Sequence, residues 1–118
     1  HGIEGIVRAA TNGADIINVS WGMQIPYPPE EIYRYIPTLE AALLLAKHNG
    51  ILVVAAAGNY NSDTYFYPAA FDHVLAIANT DYEDKKANDS NYGAWVDFDA
   101  PGMVSVADLL CHHHWLRA

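Results

Sequence analysis

The sequence predicts an α/β domain whose sheet is mostly parallel and flanked by helices, and two observations carry this prediction. Three short runs, "DIINVSW", "ILVVAAA" and "HVLAIAN", are apolar almost without interruption, as expected of parallel strands that are buried on both faces. The segments that precede the first two runs carry apolar residues at helical spacing. Amphipathic helices that alternate with such strands are typical of α/β folds.

The first helix is predicted over residues 3–12, where one apolar stripe contains Ile3, Ile6, Val7 and Ala10. Gly13 follows at the position where a left-handed residue commonly ends a helix. The run "DIINVSW" then predicts a buried strand that ends at Gly22.

Residues 23–36 contain three prolines and predict a surface loop with one helical turn after Pro29. Pro37 fits the first turn of a second helix, where its missing N–H group leaves no hydrogen bond unmade. Gly50 stands past the end of that helix, whose apolar stripe contains Leu39, Ala42, Leu43 and Ala46.

Three further strands complete the predicted domain. The second strand begins at Ile51, the third spans residues 73–79 and the last spans residues 94–98. No domain boundary is predicted before residue 103. Residues 1–102 are therefore expected to form one unit, and residues 103–118 a tail of different character.

Composition and charge exclude several classes of partner. The net charge is −8 and only six basic residues are scattered along the chain, whereas nucleic-acid and anionic-membrane surfaces need clustered Lys and Arg. No apolar run reaches the roughly 18–20 residues that span a bilayer. Cys111 is the single cysteine and cannot form an internal disulfide. Neither of the glycine-rich phosphate-binding motifs, G-x-G-x-x-G and G-x-x-x-x-G-K-S/T, occurs in the sequence, which argues against a nucleotide-binding domain.

Two of the predicted strands end in small and polar residues, in the stretches "NVSWG" and "VVAAAGN". Ligands of open parallel sheets bind beyond the carboxyl ends of the strands. Gly58 permits a sharp turn there, and Asn59 then presents an NH₂ group that can donate to a developing negative charge, as an oxyanion hole requires. The alternative is a plain turn, in which Asn59 adopts a left-handed conformation or bonds its own backbone.

Five blocks follow one another along the chain: "NGADIINVSWG", "GILVVAAAGN", "YPAA", "SNYG" and "APG". In this order and at these spacings they resemble the catalytic domain of subtilisin-like serine proteases, the peptidase S8 or subtilase family, over roughly residues 3–102. The resemblance implies a doubly wound α/β fold and hydrolysis of peptide bonds by a Ser-His-Asp triad. It also implies a peptide or protein substrate and a secreted or cell-envelope location.

The resemblance assigns roles to the residues at the two strand ends. It makes Asn59 the oxyanion-hole asparagine. The segment that pairs with the substrate main chain, as one strand pairs with another, corresponds to Ser20, Trp21 and Gly22. One wall of the pocket for the residue before the scissile bond corresponds to Ala56, Ala57 and Gly58.

The resemblance places Phe66 near the floor of that pocket. We hypothesise that its ring fills part of the pocket and favours small substrate side chains. In the alternative, the loop over residues 60–66 takes another path and Phe66 packs elsewhere.

The resemblance further implies a cis peptide bond between Tyr67 and Pro68, an X-Pro pair at which the cis form is plausible. Some members of the family bind a weak cation through backbone carbonyls, at the positions of Ala69, Phe71 and Val74. The resemblance is the sole ground for that cation, and no other cofactor is expected.

The catalytic triad departs from the family pattern. The aspartate context "D-T/S-G", the histidine context "H-G-T-H" and the serine context "G-T-S-M-A" are all missing from the sequence. His1 lies only nineteen residues before Ser20, where the family leaves about sixty, and Ser105 lacks the preceding Gly-Thr. The remaining serines, Ser20, Ser62 and Ser90, also stand in the wrong contexts. We therefore expect a central part of a catalytic domain that is inactive and marginally stable alone.

Two functions remain open at this point. The leading interpretation is part of a serine endopeptidase that supplies the oxyanion donor and the substrate-binding edge. The alternative is a non-catalytic α/β module that binds extended peptides. The tail "CHHHWLRA" offers metal-ligand types, but adjacent histidines rarely point at one ion, so no metal site is predicted there.

Overall fold

The fold is described by a computed structural model over residues 2–102. These residues contain two α-helices, one short 3-10 helix and six strands. Their bounds are α1 Gly2–Thr11, β1 Ile16–Val19, β2 Met23–Gln24, the 3-10 helix Ile32–Arg34, α2 Pro37–His48, β3 Leu52–Ala56, β4 Phe66–Tyr67, β5 Leu75–Thr80 and β6 Phe98–Pro101. The predicted helices and the helical turn after Pro29 are confirmed.

The main sheet has four strands in the order β1-β3-β5-β6, and every neighbouring pair is parallel. Helix α2 connects β1 to β3, as parallel crossovers require. Strands β2 and β4 pair antiparallel in a separate two-stranded ribbon. The predicted α/β class with a mostly parallel sheet and flanking helices is therefore confirmed.

The core lies between the helices and one face of the main sheet. Helices α1 and α2 pack on each other, and α2 packs on β3. The strand residues on this face include Ile17, Val19, Val53 and Ala55, which cluster with Leu39 and Leu43 of α2 among others. Fully burying one such aliphatic side chain contributes about 1.5–3 kcal/mol.

The prediction that the strands are buried on both faces is wrong for the face of the sheet that lies opposite the helices. Buried positions alternate with exposed ones along β1 and β3, and three large apolar side chains on the second face are 45–62% exposed: Ile16, Leu52 and Phe98. The strands are therefore not buried on both faces by residues 2–102. An unbroken apolar run shows that both faces are apolar, but it does not show what covers them.

Three strands differ from the sequence prediction: β6 begins later than expected, and β2 and β4 were not predicted. The last strand was expected at residues 94–98 but begins at Phe98, because the preceding chain turns where Val96 donates to the Gly93 carbonyl. Strands β2 and β4 have two residues each, too few for a periodic signal. Gly13 and Gly50 have positive φ values of 83° and 74°, as their places after the helices predict.

Candidate functional site at the carboxyl edge of the sheet

The two segments that the sequence singled out leave the sheet side by side. Strands β1 and β3 are neighbours, with Val19 opposite Ala55. The residues that follow each strand, 20–22 and 57–59, therefore emerge at the same carboxyl edge. This is the edge at which parallel sheets bind ligands.

Asn59 is exposed and lines an open hollow of about 510 Å³, which we call the edge hollow. The edge hollow is also lined by Asn18, Asn79 and Ser90, among others, and its apolar lining comes mainly from β3, β5 and β6. Among residues 2–102, the carboxamide of Asn59 neither donates nor accepts a hydrogen bond. Its NH₂ group is therefore available to an oxygen that enters from solvent.

Gly58 turns the chain between β3 and Asn59, with a φ of 99°. A Cβ atom on this residue would lie 2.4 Å from Nδ2 of Asn91 and 3.0 Å from the ring of Phe66. Only glycine both adopts this backbone conformation readily and allows so close an approach. The sharp turn predicted for Gly58 is therefore present.

Phe66 lies between the two emerging segments and is only 6% exposed. Its ring is 3.0 Å from a Cβ built on Gly58 and 2.6 Å from a Cβ built on Gly22. The ring thus contacts both segments at once, in the gap between them. Its neighbour Tyr67 fixes this position, because the Tyr67 hydroxyl donates a 2.6 Å hydrogen bond to the Tyr27 carbonyl. Burial raises the pKa of that Tyr67 hydroxyl.

The segment over residues 20–22 has a free main chain. Outside the paired strands, no main-chain hydrogen bond among residues 2–102 involves Ser20, Trp21 or Gly22. Trp21 is 39% exposed, and it borders a second, more apolar hollow of about 730 Å³ that Met23, Tyr35 and Leu39 also line. Unpaired main-chain groups at an exposed segment can accept an extended peptide as an added strand.

Asn91 is the site residue whose individual role the sequence did not indicate. It is fully buried and hydrogen-bonds to four residues around Asn59, one of them through its main-chain amide, which donates to the Gly58 carbonyl at 2.9 Å. Its Nδ2 donates to the Ala57 carbonyl at 2.7 Å, and its Oδ1 accepts from the amides of Tyr60 and Ser62 at 3.0 and 3.1 Å. A single sequence offers no signal for these contacts, because they join residues about 30 positions apart.

Residues 68–74 follow the cis Tyr67–Pro68 peptide bond, which the structure contains as predicted. They form a turn that is buried except at Asp72 and His73, and in it the Phe71 carbonyl accepts a hydrogen bond from the Val74 amide at 3.1 Å. Within residues 2–102, no three His, Cys, Asp or Glu side chains converge as a metal site would need. A cation held by the backbone carbonyls of Ala69, Phe71 and Val74 is a separate case and stays a prediction, and no chemical step is assigned to it.

The described residues contain no serine paired with a histidine. Ser90 bonds the Asn79 amide and the Asn91 carbonyl, while Ser62 bonds Thr64. His73 is half-buried, its Nε2 has no partner among residues 2–102, and burial lowers its pKa. The other sequence candidates lie outside the described residues: His1, Ser105, Cys111 and the histidines at 112–114.

The fold and the edge site define a class: an α/β domain with a parallel sheet, a free main-chain segment and an exposed amide donor at the carboxyl edge. The model of the Subtilase family, Peptidase S8, matches residues 1–116. The chain is 41% identical over 106 residues to a "Thermophilic serine proteinase" from Bacillus sp. (strain AK1), covering 90% of this chain and 24% of the relative. It is 38% identical over 98 residues to thermitase from Thermoactinomyces vulgaris, covering 83% of this chain and 32% of the relative.

Solved structures with a similar fold are also proteases. The maturation protease PagA of prenylagaramide superposes with a TM-score of 0.75 at 34% identity, over 85% of this chain and 35% of that one. The epidermin leader peptide processing protease EpiP from Staphylococcus aureus superposes with a TM-score of 0.75 at 29% identity, over 94% and 32%. The chain belongs to the subtilase family, and it spans about a quarter to a third of the length of these relatives. No helix within residues 2–102 is long and apolar enough to cross a bilayer.

Proposed function

We propose that this chain supplies the oxyanion donor and the substrate-binding edge of a serine endopeptidase. One observation carries the proposal: the unbonded carboxamide of Asn59 and the free main chain of residues 20–22 lie at one edge of the sheet. Membership of the subtilase family and relatives that are serine proteases support it. A secreted or cell-envelope location is proposed on the same ground.

In the proposed mechanism, a substrate strand pairs with residues 20–22 and brings its scissile carbonyl to the edge hollow. As a nucleophile adds to the carbonyl carbon, the π electrons move to oxygen, and Nδ2 of Asn59 donates a hydrogen bond to that oxyanion. The side chain stays neutral throughout and transfers no proton. Such a donor stabilises the transition state more than the substrate and so acts on kcat.

The nucleophile and base of this reaction are proposed to come from outside residues 2–102. Nucleophilic catalysis needs a serine within hydrogen-bond reach of a base that a third group orients. The serines of residues 2–102 bond other partners, and none bonds His48 or His73. We therefore expect no peptide hydrolysis by the 118-residue chain alone.

Substrate preference is proposed to follow from Phe66. The ring occupies the gap between Gly22 and Gly58, beside the wall that Ala56, Ala57 and Gly58 would form. A bulky floor in this gap leaves room for a small side chain before the scissile bond. Alanine or glycine at that substrate position should be preferred over phenylalanine.

A chimeric protease tests the proposal. Residues 2–102 replace the matching segment of the Bacillus sp. AK1 proteinase, and release of amine from peptide anilides is measured. The chimera should hydrolyse peptides, and Asn59→Ala should lower kcat about 100- to 1,000-fold with little change in KM. That range is one known for a subtilisin, a member of the same family, and does not come from this structure. Asn88→Ala, at an exposed asparagine, is the matched control and should leave kcat unchanged.

A second candidate function is a non-catalytic module that binds extended peptides, which the free edge at residues 20–22 favours. Equilibrium binding of labelled unstructured peptides to the 118-residue chain distinguishes the two. Specific binding, together with a chimera in which Asn59→Ala leaves kcat unchanged, would favour the module and contradict the endopeptidase.

A further inference from the structure

We propose that Asn91 is a positioning residue that holds the loop of Asn59 so that its carboxamide faces the edge hollow. The inference deepens the proposed function and rests on the role given there to Asn59. Asn91 itself touches no substrate in this scheme, since it is fully buried behind the loop.

The hydrogen bonds of Asn91 bracket Asn59 on both sides in sequence. Before Asn59, the Asn91 Nδ2 donates to the Ala57 carbonyl at 2.7 Å, and the Asn91 main-chain amide donates to the Gly58 carbonyl at 2.9 Å. After it, the Asn91 Oδ1 accepts the amides of Tyr60 and Ser62. Four bonds from one residue therefore fix the chain around Asn59, whose own side chain has no partner among residues 2–102.

This geometry requires an uncharged amide with both a donor and an acceptor. Asn91 uses its NH₂ group in one direction and its carbonyl oxygen in the other. A carboxylate would keep the acceptor but oppose the Ala57 carbonyl, and an aliphatic side chain would satisfy neither group. Because the site is buried, each unpaired group there is costly.

Asn91 is itself anchored to the main sheet. The Ser90 hydroxyl accepts the amide of Asn79 in β5 at 2.9 Å and donates to the Asn91 carbonyl at 3.0 Å. Gly58 completes the arrangement, because any side chain there would collide with Asn91 Nδ2. The loop is thus tied through Asn91 to β5, the strand next to the one that it leaves.

Amide hydrogen exchange measured by NMR on the 118-residue chain tests the clamp directly. Asn91→Leu should speed exchange of the Tyr60 and Ser62 amides at least tenfold and leave the amides of Val53 and Ala55 in β3 unchanged. Asn91→Asp keeps the acceptor but opposes the Ala57 carbonyl, so it should speed exchange at Tyr60 and Ser62 less than Asn91→Leu does. Asn88→Leu is the exposed control. Equal acceleration throughout the sheet, or none at Tyr60 and Ser62, would overturn the proposal.

A double-mutant cycle in the chimeric protease tests the catalytic consequence. Asn91→Leu should lower kcat about tenfold with KM unchanged, but less than twofold when Asn59 is already alanine, because both changes act through one carboxamide. An equal loss in both backgrounds would overturn the positioning role. If Asn59→Ala alone leaves kcat unchanged, the proposed function fails instead, and a local exchange effect at Tyr60 and Ser62 still shows that Asn91 holds the loop.

Discussion

Gly58→Ala should destabilise the protein far more than an alanine substitution normally does. The residue has a φ of 99°, and holding an L side chain in such a region costs about 1–3 kcal/mol. The new Cβ would lie 2.4 Å from Asn91 Nδ2, so the bond from that atom to the Ala57 carbonyl must break. A buried polar group left unpaired costs about 1–3 kcal/mol. Together these effects predict a loss of roughly 2–6 kcal/mol in the free energy of unfolding.

Urea unfolding of the chimeric protease, followed by tryptophan fluorescence, measures this loss, because the 118-residue chain alone is expected to be too marginally stable to report it. Gly5→Ala is the matched control, because Gly5 is an exposed residue inside α1 with no atom within 4 Å of a built Cβ. It should stabilise the protein by about 0.5–1 kcal/mol through helix propensity. If Gly58→Ala changes the free energy of unfolding by less than 1 kcal/mol, the steric argument for the turn is wrong.

Three further predictions test other parts of the molecule. In the chimera, Phe66→Gly should raise kcat/KM for substrates with phenylalanine before the scissile bond relative to those with alanine, and an unchanged ratio would refute the pocket assignment. Burial, with a smaller effect of the nearby Lys47 charge, lowers the pKa of His73 below its usual 6.5. As pH falls, the imidazole is therefore protonated in the unfolded state before it is protonated in the folded state. The free energy of unfolding should therefore decrease below about pH 6.5 and level off below the folded pKa, and a His73→Gln variant should lose that part of the pH dependence. Lys86→Met should lower stability by about 1 kcal/mol, because its ammonium donates to the Asn61 side chain and to three carbonyls between residues 87 and 90; an unchanged melting temperature would contradict this.

The elements that the sequence predicted are those whose signals are local. Helix α1 has its apolar stripe and Gly13, and α2 has Pro37 at its start and Gly50 past its end. Each signal lies within a few residues of the element that it defines. The two-residue ribbon of β2 and β4 has no such signal, because its partners are brought together only by the completed fold.

The residues of the candidate site also differ in whether a local sequence signal marks them. Small residues and an amide at the end of a strand made Gly58 and Asn59 candidates, because ligands bind at the carboxyl edge of a parallel sheet, but the oxyanion role of Asn59 rested on the family resemblance. Asn91 carried no comparable signal, since its role consists of bonds to a loop about 30 residues away. The contact of the Phe66 ring with both Gly22 and Gly58 likewise required the structure.

The face of the sheet that residues 2–102 leave uncovered gives a physical reason to expect only marginal stability of the chain by itself. Ile16, Leu52 and Phe98 are 62%, 45% and 60% exposed, so their burial contributes little of the 1.5–3 kcal/mol that a core aliphatic or aromatic side chain supplies. Within residues 2–102, β1 and β6 also end the sheet with one unpaired side each, which invites association between chains. The loop of Asn59 is nevertheless tied to β5, because Asn91 bonds the loop and Ser90 bonds both Asn91 and the Asn79 amide of that strand. These hydrogen bonds do not involve the exposed side chains of the second face, so we expect the loop of Asn59 to keep its conformation even where the free energy of unfolding is low.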